Sequence, residues 1–167
     1  ASGNNATLYN GAAFASGHME SGLQFDGVND YASFPATGIS NNQGTIAYWT
    51  RPQGWNGGDG TSHGSFQTTV PGSGSYNSVG QILILEQWGA NNLLYFRIVP
   101  DGGCCPIDVN VPTAGIFKDG KWTHVAATWN KSANSIKVYI NGVLKASRSD
   151  WTQAVSTPVN ATGYIGV

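Results

Sequence analysis

The sequence contains few charged residues: 8 are Lys or Arg and 9 are Asp or Glu, among 167. This charged fraction of 10 % is far below the ~25 % usual for soluble domains, and it excludes a coiled coil or a Lys/Glu-rich helical bundle. The net charge of −1 excludes a basic nucleic-acid-binding protein and provides no attraction to an anionic membrane surface. We therefore expect neither nucleic acid nor membrane insertion among its interactions.

Long hydrophobic runs are also missing. The longest, residues 81–85 and 93–99, are strand-sized and far from the ~20 residues of a membrane-spanning helix. The first residues have neither the basic nor the apolar region of a signal peptide, so we expect a matured protein or a segment of a longer chain. A composition rich in Ser, Thr, Asn and Gly favours an extracellular or cell-surface location.

Helical periodicity is nearly absent, whereas short alternating apolar segments recur between turn residues. This pattern predicts an all-β fold of two antiparallel sheets packed face to face. We expect hairpins across residues 26–30, 88–92, 130–134 and 141–142, the last an Asn-Gly turn. Two stretches, 53–80 and 100–112, are predicted to be irregular, with a short strand at residues 67–70 as one option inside the first.

Five segments, met in order along the chain, carry a family resemblance: GLQFDGVNDY (22–31), TIAYW (45–49), KWTHVAATW (121–129), VYINGV (138–143) and YIG (164–166). They resemble the signature segments of laminin-G-like domains in the concanavalin A-like lectin/glucanase superfamily. The resemblance implies one domain over residues 1–167, folded as a jelly-roll sandwich. It also implies a module that binds glycans, other proteins or calcium, or one that is passive beside enzymes and adhesins.

Laminin-G-like domains usually have a strand before the position of Ala1 and another after that of Val167. The resemblance therefore implies that the first and last strands of the family are missing here. Either the sequence is part of a longer chain, or a neighbouring molecule supplies the strands at exposed sheet edges. The second explanation gives an alternative function: a structural subunit of an extracellular assembly or filament, with strands shared between protomers.

Catalytic groups are scarce. Glycoside hydrolysis generally requires two carboxyl groups across the bond, yet the only glutamates, Glu20 and Glu86, are far apart in the sequence. The acidic cluster that glucanases of the superfamily carry on one strand has no counterpart around Glu86. His124 is interpreted as a core or capping residue of its strand, because a lone histidine is rarely a catalyst. We expect no enzyme and no catalytic residue.

A calcium site is one of two interpretations of the turn that contains Asp26, Asn29 and Asp30. Calcium takes six to eight oxygen ligands from carboxylates, Asn and backbone carbonyls, and the resemblance implies a structural calcium ion at the rim of such sandwiches. The alternative is that Asp26 and Asn29 hydrogen-bond the backbone of their own turn.

The only cysteines, Cys104 and Cys105, are adjacent. A disulfide between them closes a strained ring whose Cα atoms lie closer than the usual 4.4–6.8 Å, and it persists only in an oxidising compartment. We expect this vicinal disulfide; two free thiols or bridges to another chain are the alternatives.

Exposed aromatic residues in loops are the candidates for ligand binding, because sugar rings stack on indole faces and polar side chains suit their hydroxyl groups. The predicted ligand-binding residues are Trp55, Asp59, His63, Tyr76 and Trp88. The tryptophans on alternating strands are predicted to lie in the core: Trp49, Trp122 and Trp129. The sequence thus favours a recognition or adhesion module with a glycan or an extracellular protein as partner. In the alternative interpretation, the loop aromatics only pin a long loop to the sheet.

Overall fold

Thirteen strands occupy the residues that the computed structural model describes, which are 5–69, 79–103, 105–156 and 161–166. No helix in these ranges is long and apolar enough to cross a membrane. The strands are β1 (Thr7–Tyr9), β2 (Ala13–Ser16), β3 (Ser21–Gln24), β4 (Tyr31–Pro35), β5 (Gln43–Thr50), β6 (His63–Thr69), β7 (Ile82–Gln87), β8 (Leu93–Ile98), β9 (Ile107–Pro112), β10 (Thr123–Asn130), β11 (Ser135–Ile140), β12 (Val143–Arg148) and β13 (Thr162–Ile165).

Two antiparallel sheets and a separate hairpin make up the architecture. The larger sheet has seven strands in the order β1-β4-β13-β6-β7-β8-β9, and the smaller has four in the order β12-β11-β10-β5. Within the described ranges, strands β2 and β3 pair only with each other. The predicted all-β class of two antiparallel sheets, consistent with a jelly-roll sandwich, is confirmed.

Three of the four predicted hairpins are confirmed: β7–β8, β10–β11 and β11–β12. The fourth, across residues 26–30, is wrong. Strand β3 pairs with β2, whereas β4 pairs with β1 and β13. The flanking segments are strands as expected, but the turn leads the chain from the small hairpin into the seven-stranded sheet.

The two stretches predicted to be irregular are only partly so, since the first contains β6 and the second contains β9. Both strands belong to the seven-stranded sheet, where β6 pairs with β7 and β9 with β8. Because β6 and β7 are antiparallel, the last residue of β7, Gln87, lies opposite the first residue of β6, His63. The end of β7 is therefore next to the loop that precedes β6.

The core lies between the sheets and is formed by aliphatic and aromatic residues from the inward positions of both. From the seven-stranded sheet come Ile84, Phe96 and Ile98, and from the four-stranded sheet come Val125, Ala127, Trp129 and Val138. The Trp129 ring packs directly on Gly44 of β5, where an added Cβ would lie 2.4 Å from Cζ2. Trp129 is buried as predicted.

Candidate functional site

The loop between β5 and β6 brings three of the predicted ligand-binding residues together. The Trp55 and His63 rings are stacked, with centroids 3.7 Å apart and an interplanar angle of 11°. His63 Nε2 lies 3.1 Å from Asp59 Oδ2 and 2.7 Å from Thr61 Oγ1. Although desolvation opposes the shift, the Thr61 N–H and O–H and the His63 ring lower the pKa of Asp59 to about 2.

Gln87, at the end of β7, holds this loop in place and is completely buried. Its amide Nε2 donates to Asp59 Oδ1 at 2.6 Å and to the Thr61 carbonyl at 2.9 Å. Its Oε1 accepts from the Gly58 N–H and from Thr113 Oγ1, each at 2.7 Å. The Gln87 side chain therefore fixes the loop against β7 with two donated and two accepted hydrogen bonds.

The half-buried ring of Trp55 contacts two other rings. His63 stacks on it, and Phe117 of the core lies 5.5 Å away at a tilted angle. This packing supports the interpretation in which the aromatics pin the loop.

Trp88 directly follows Gln87 in the chain, and its ring lies 6.0 Å from the Tyr95 ring and 6.0 Å from the Arg97 guanidinium. Tyr76 lies outside the described residues, so the set Trp55, Asp59, His63, Tyr76 and Trp88 as a joint ligand site stays a prediction.

A second group of rings lies on the outer face of the four-stranded sheet, the face turned away from the core. Trp49 of β5 pairs directly with His124 of β10, and their rings are 5.2 Å apart. His18, from the turn between β2 and β3, stacks on Trp49 at 3.6 Å and contacts the edge of Trp122 at 5.6 Å. We call these four residues the aromatic cluster. The Arg51 guanidinium lies 5.1 Å above the Trp122 ring.

The core prediction for Trp49 is wrong, because this residue is 39 % exposed. Ile46 and Tyr48 take the inward positions of β5, and alternation then points Trp49 outward. Trp122 is half-buried on the same outer side, so its core prediction is wrong as well, and His124 is also half-buried there. The sequence did not reveal the cluster, because His18 lies in a distant hairpin.

Beyond the aromatic cluster, the same outer face forms an open groove of about 460 Å³. Its lining includes Gly44 and Trp129, although the Trp129 ring itself packs in the core. The other lining residues are Gln43, Thr45, Thr128, Asn130, Ser135, Lys137 and Tyr139. Ala47 and Ala126 are paired between the groove and the aromatic cluster. Their small side chains leave no protrusion on the sheet face there. From Trp49 to Gln43 the face extends for about 20 Å at ~3.4 Å per residue.

The turn at residues 26–30 is held by its own side chains. Asp26 Oδ1 accepts from the N–H of Val28 at 2.8 Å and of Asn29 at 3.2 Å, and these bonds lower the pKa of Asp26. Asp30 Oδ2 accepts from the Asp26 N–H at 3.0 Å, whereas Asp30 Oδ1 is buried without a partner and is the oxygen that a cation could take. The described residues contain no group of three or more His, Cys, Asp or Glu placed to hold a metal. Calcium at Asp26, Asn29 and Asp30 therefore stays a prediction.

Cys105 is exposed and has a left-handed backbone conformation, with φ of 59°. Its neighbour Cys104 lies outside the described residues. The vicinal disulfide therefore also stays a prediction.

Glu86, one of the two glutamates, faces the core and is 4 % exposed. Thr50 Oγ1 donates to its Oε2 at 3.3 Å across the sandwich. Burial raises the pKa of Glu86 to about 7, and it also raises the pKa of nearby Tyr48 well above its usual value. A carboxyl group in this position cannot reach a ligand on either outer face.

Comparison with protein families gives one match. A laminin-G family model, described as the concanavalin A-like lectin/glucanases superfamily, matches residues 26–167. No curated protein sequence matches the chain.

Several solved structures share the fold. Domain 4 of AbnA, an extracellular arabinanase from Geobacillus stearothermophilus in complex with arabinotriose, is 24 % identical with a TM-score of 0.70, over 97 % of this chain and 73 % of that one. The binding domain of Paraclostridial Mosquitocidal Protein 1 is 18 % identical with a TM-score of 0.72, over 97 % of this chain but only 39 % of that one. The Ruminococcus gnavus sialidase CBM40, bound to α2,3-sialyllactose, is 14 % identical with a TM-score of 0.56, over 74 % of this chain and 63 % of that one.

Proposed function

The chain belongs to the concanavalin A-like lectin/glucanases superfamily, and we propose that it is a non-catalytic carbohydrate-binding module that acts outside the cell. The proposed ligand surface is the outer face of the four-stranded sheet. The observation that carries this proposal is the aromatic cluster, which lies at one end of an open polar groove on the same face. The arabinotriose and sialyllactose in two structures of the same fold support the ligand class.

The aromatic cluster supplies a stacking platform. His18 is itself exposed above Trp49, so its outer ring face and the exposed part of the indole are both open to solvent. The C–H faces of sugar rings pack on such aromatic surfaces while their hydroxyl groups remain available for hydrogen bonds. Because the rings are already held against one another, little side-chain freedom is lost on binding.

The groove supplies hydrogen-bonding groups for the sugar hydroxyls. The side chains of Gln43, Thr45 and Thr128 make no hydrogen bond to any other described residue, so all three can bond a ligand. None of the residues that line the groove is Asp or Glu. The paired carboxyl groups of a glycosidase are therefore not present in the groove, and this supports binding without catalysis.

Substitution of Trp49 by alanine should weaken saccharide binding by about tenfold, because one stacked ring is worth ~1.4 kcal/mol. The measurement is isothermal titration with the best ligand from an array of oligosaccharides. Tyr9→Ala is a matched control, since Tyr9 is equally exposed at 40 % but lies on β1 of the other sheet. This variant should bind as the unmodified protein does.

An effect of Trp88→Ala without an effect of Trp49→Ala would place the ligand elsewhere. If Trp88→Ala abolishes binding and Trp49→Ala leaves it unchanged, the ligand lies at the loop residues predicted from the sequence. If the array gives no binding at all, the carbohydrate-binding function itself is wrong.

A further inference from the structure

The charged residues are distributed very unevenly over the two sheets. Five of the eight basic residues lie in the four-stranded sheet or within one residue of it: Arg51, Lys131, Lys137, Lys145 and Arg148. None of the nine acidic residues does. By the same criterion, the seven-stranded sheet instead has one basic residue and three acidic ones: Arg97, Asp30, Glu86 and Asp108. A nearly neutral protein thus has one markedly cationic sheet.

Most of these cations are not neutralised within the described part of the protein. Arg97 of the other sheet forms a two-pronged ion pair with Asp108, at 2.7 and 2.8 Å, and Arg148 pairs with Asp150. Among the described residues, no ion pair involves Arg51, Lys137 or Lys145. Three full charges therefore remain on or beside the four-stranded sheet without an acidic partner.

Lys137 is the charge best placed to contact a ligand, because it lines the groove directly. It pairs with Thr128 of β10, and the adjacent Tyr139 pairs with Ala126. From Trp49 it lies two strands across and four residues along the sheet, roughly 17 Å away at ordinary strand spacings. An ammonium group in a groove lined with hydroxyl and amide groups is a strong donor to carboxylate or sulfate.

We infer that the outer face of the four-stranded sheet binds an anionic oligosaccharide, whose sugar ring stacks on the aromatic cluster while its carboxylate or sulfate group contacts Lys137. This inference rests on the proposed function, and it specifies the ligand class. Arg51 and Lys145 add a positive potential that attracts an acidic chain and repels basic ones. A single sugar ring cannot span the distance, so the ligand is an oligosaccharide or a polysaccharide segment.

Two matched pairs of polysaccharides test the ligand class: polygalacturonate against its carboxyl-reduced form, and dextran sulfate against dextran. Binding is measured by affinity electrophoresis and titration at about 0.15 M salt, where exposed charges more than ~8 Å apart are largely screened. We expect the acidic member of at least one pair to bind at least tenfold more tightly. The pair that shows the difference identifies the group as carboxylate or sulfate.

Three lysine variants localise the effect. Lys137→Gln should weaken the affinity for the acidic polysaccharide about tenfold. Lys137→Arg keeps the charge and should retain most of the affinity. Lys118→Gln is the matched control, because Lys118 is exposed in the loop before β10 and outside the groove. Its affinity should stay within twofold of the unmodified protein.

The possible failures are distinguishable. If the acidic and neutral members of both pairs bind equally, the anionic class is wrong while carbohydrate binding stands. If Lys118→Gln weakens binding as much as Lys137→Gln, the attraction is diffuse and the groove contact is wrong. If no saccharide of any kind binds, the proposed function fails and this inference fails with it.

Discussion

Substitution of Gln87 by alanine should lower the free energy of unfolding by about 3 kcal/mol, because four hydrogen bonds are lost, one of them to the completely buried Thr113. The Gly58 N–H, the Thr61 carbonyl and Thr113 Oγ1 each have a hydrogen bond to this amide of 2.9 Å or less. The remaining cavity adds to the loss, since Gln87 is completely buried. Urea unfolding gives the difference directly.

The loop that contains Trp55 should loosen in the same variant. The fluorescence and near-ultraviolet circular dichroism of the tryptophans should change at urea concentrations below those of global unfolding. Gln24→Ala is the matched control, because Gln24 is an exposed strand residue and its loss should cost under ~0.5 kcal/mol. Equal costs for the two variants would show that Gln87 does not clamp the loop.

The second large effect is the pH dependence that Glu86 imposes on stability. Its pKa is about 7 in the folded protein against an ordinary 4.5, so the folded state binds the proton more tightly than the unfolded state does. Stability is therefore greatest below about pH 4.5 and falls as the pH rises through about 7. A pKa shift of this size corresponds to a decrease of about 3 kcal/mol in the free energy of unfolding between pH values below 4.5 and pH values above 7.

The substitution Glu86→Gln should remove this dependence, because an amide cannot ionise and still accepts from Thr50. At pH 8 the variant should be more stable than the unmodified protein, and at pH 5 the two should be similar. Glu20→Gln serves as the control, since Glu20 is the only other glutamate and is exposed. A stability curve of Glu86→Gln that still falls between pH 5 and pH 8 would assign the effect to another group.

The sequence predicts the positions of the strands better than it predicts which strands pair with each other. The Asn-Gly turn and the apolar alternation around it fix β10, β11 and β12, since the contacts are local. The turn at residues 26–30 has the same local signals, but nothing in its sequence indicates that β3 and β4 belong to different sheets. Strand β9 was missed although Ile107, Val109 and Val111 alternate, because the Gly, Cys and Pro residues before it indicated a loop.

The candidate surface was harder to predict than the fold. In β5, apolar residues occupy both faces, so alternation alone does not decide whether Tyr48 or Trp49 points inward. The inward orientation of Tyr48 depends on the opposite sheet, where Ser65 Oγ forms a hydrogen bond of 2.6 Å with Tyr48 Oη. His18 reaches Trp49 from another hairpin, and the cationic character of the sheet emerges only when the strand order is known.

Nuclear magnetic resonance can locate a bound saccharide on the protein surface residue by residue. The ¹⁵N-labelled protein is titrated with an oligosaccharide cut from the polysaccharide that binds most tightly. We expect the chemical-shift changes to concentrate on the outer face of the four-stranded sheet, at the Trp49 indole N–H and the amides of Thr45, Thr128 and Lys137. Shifts confined to the indole N–H groups of Trp55 and Trp88, with the four-stranded sheet unchanged, would contradict it.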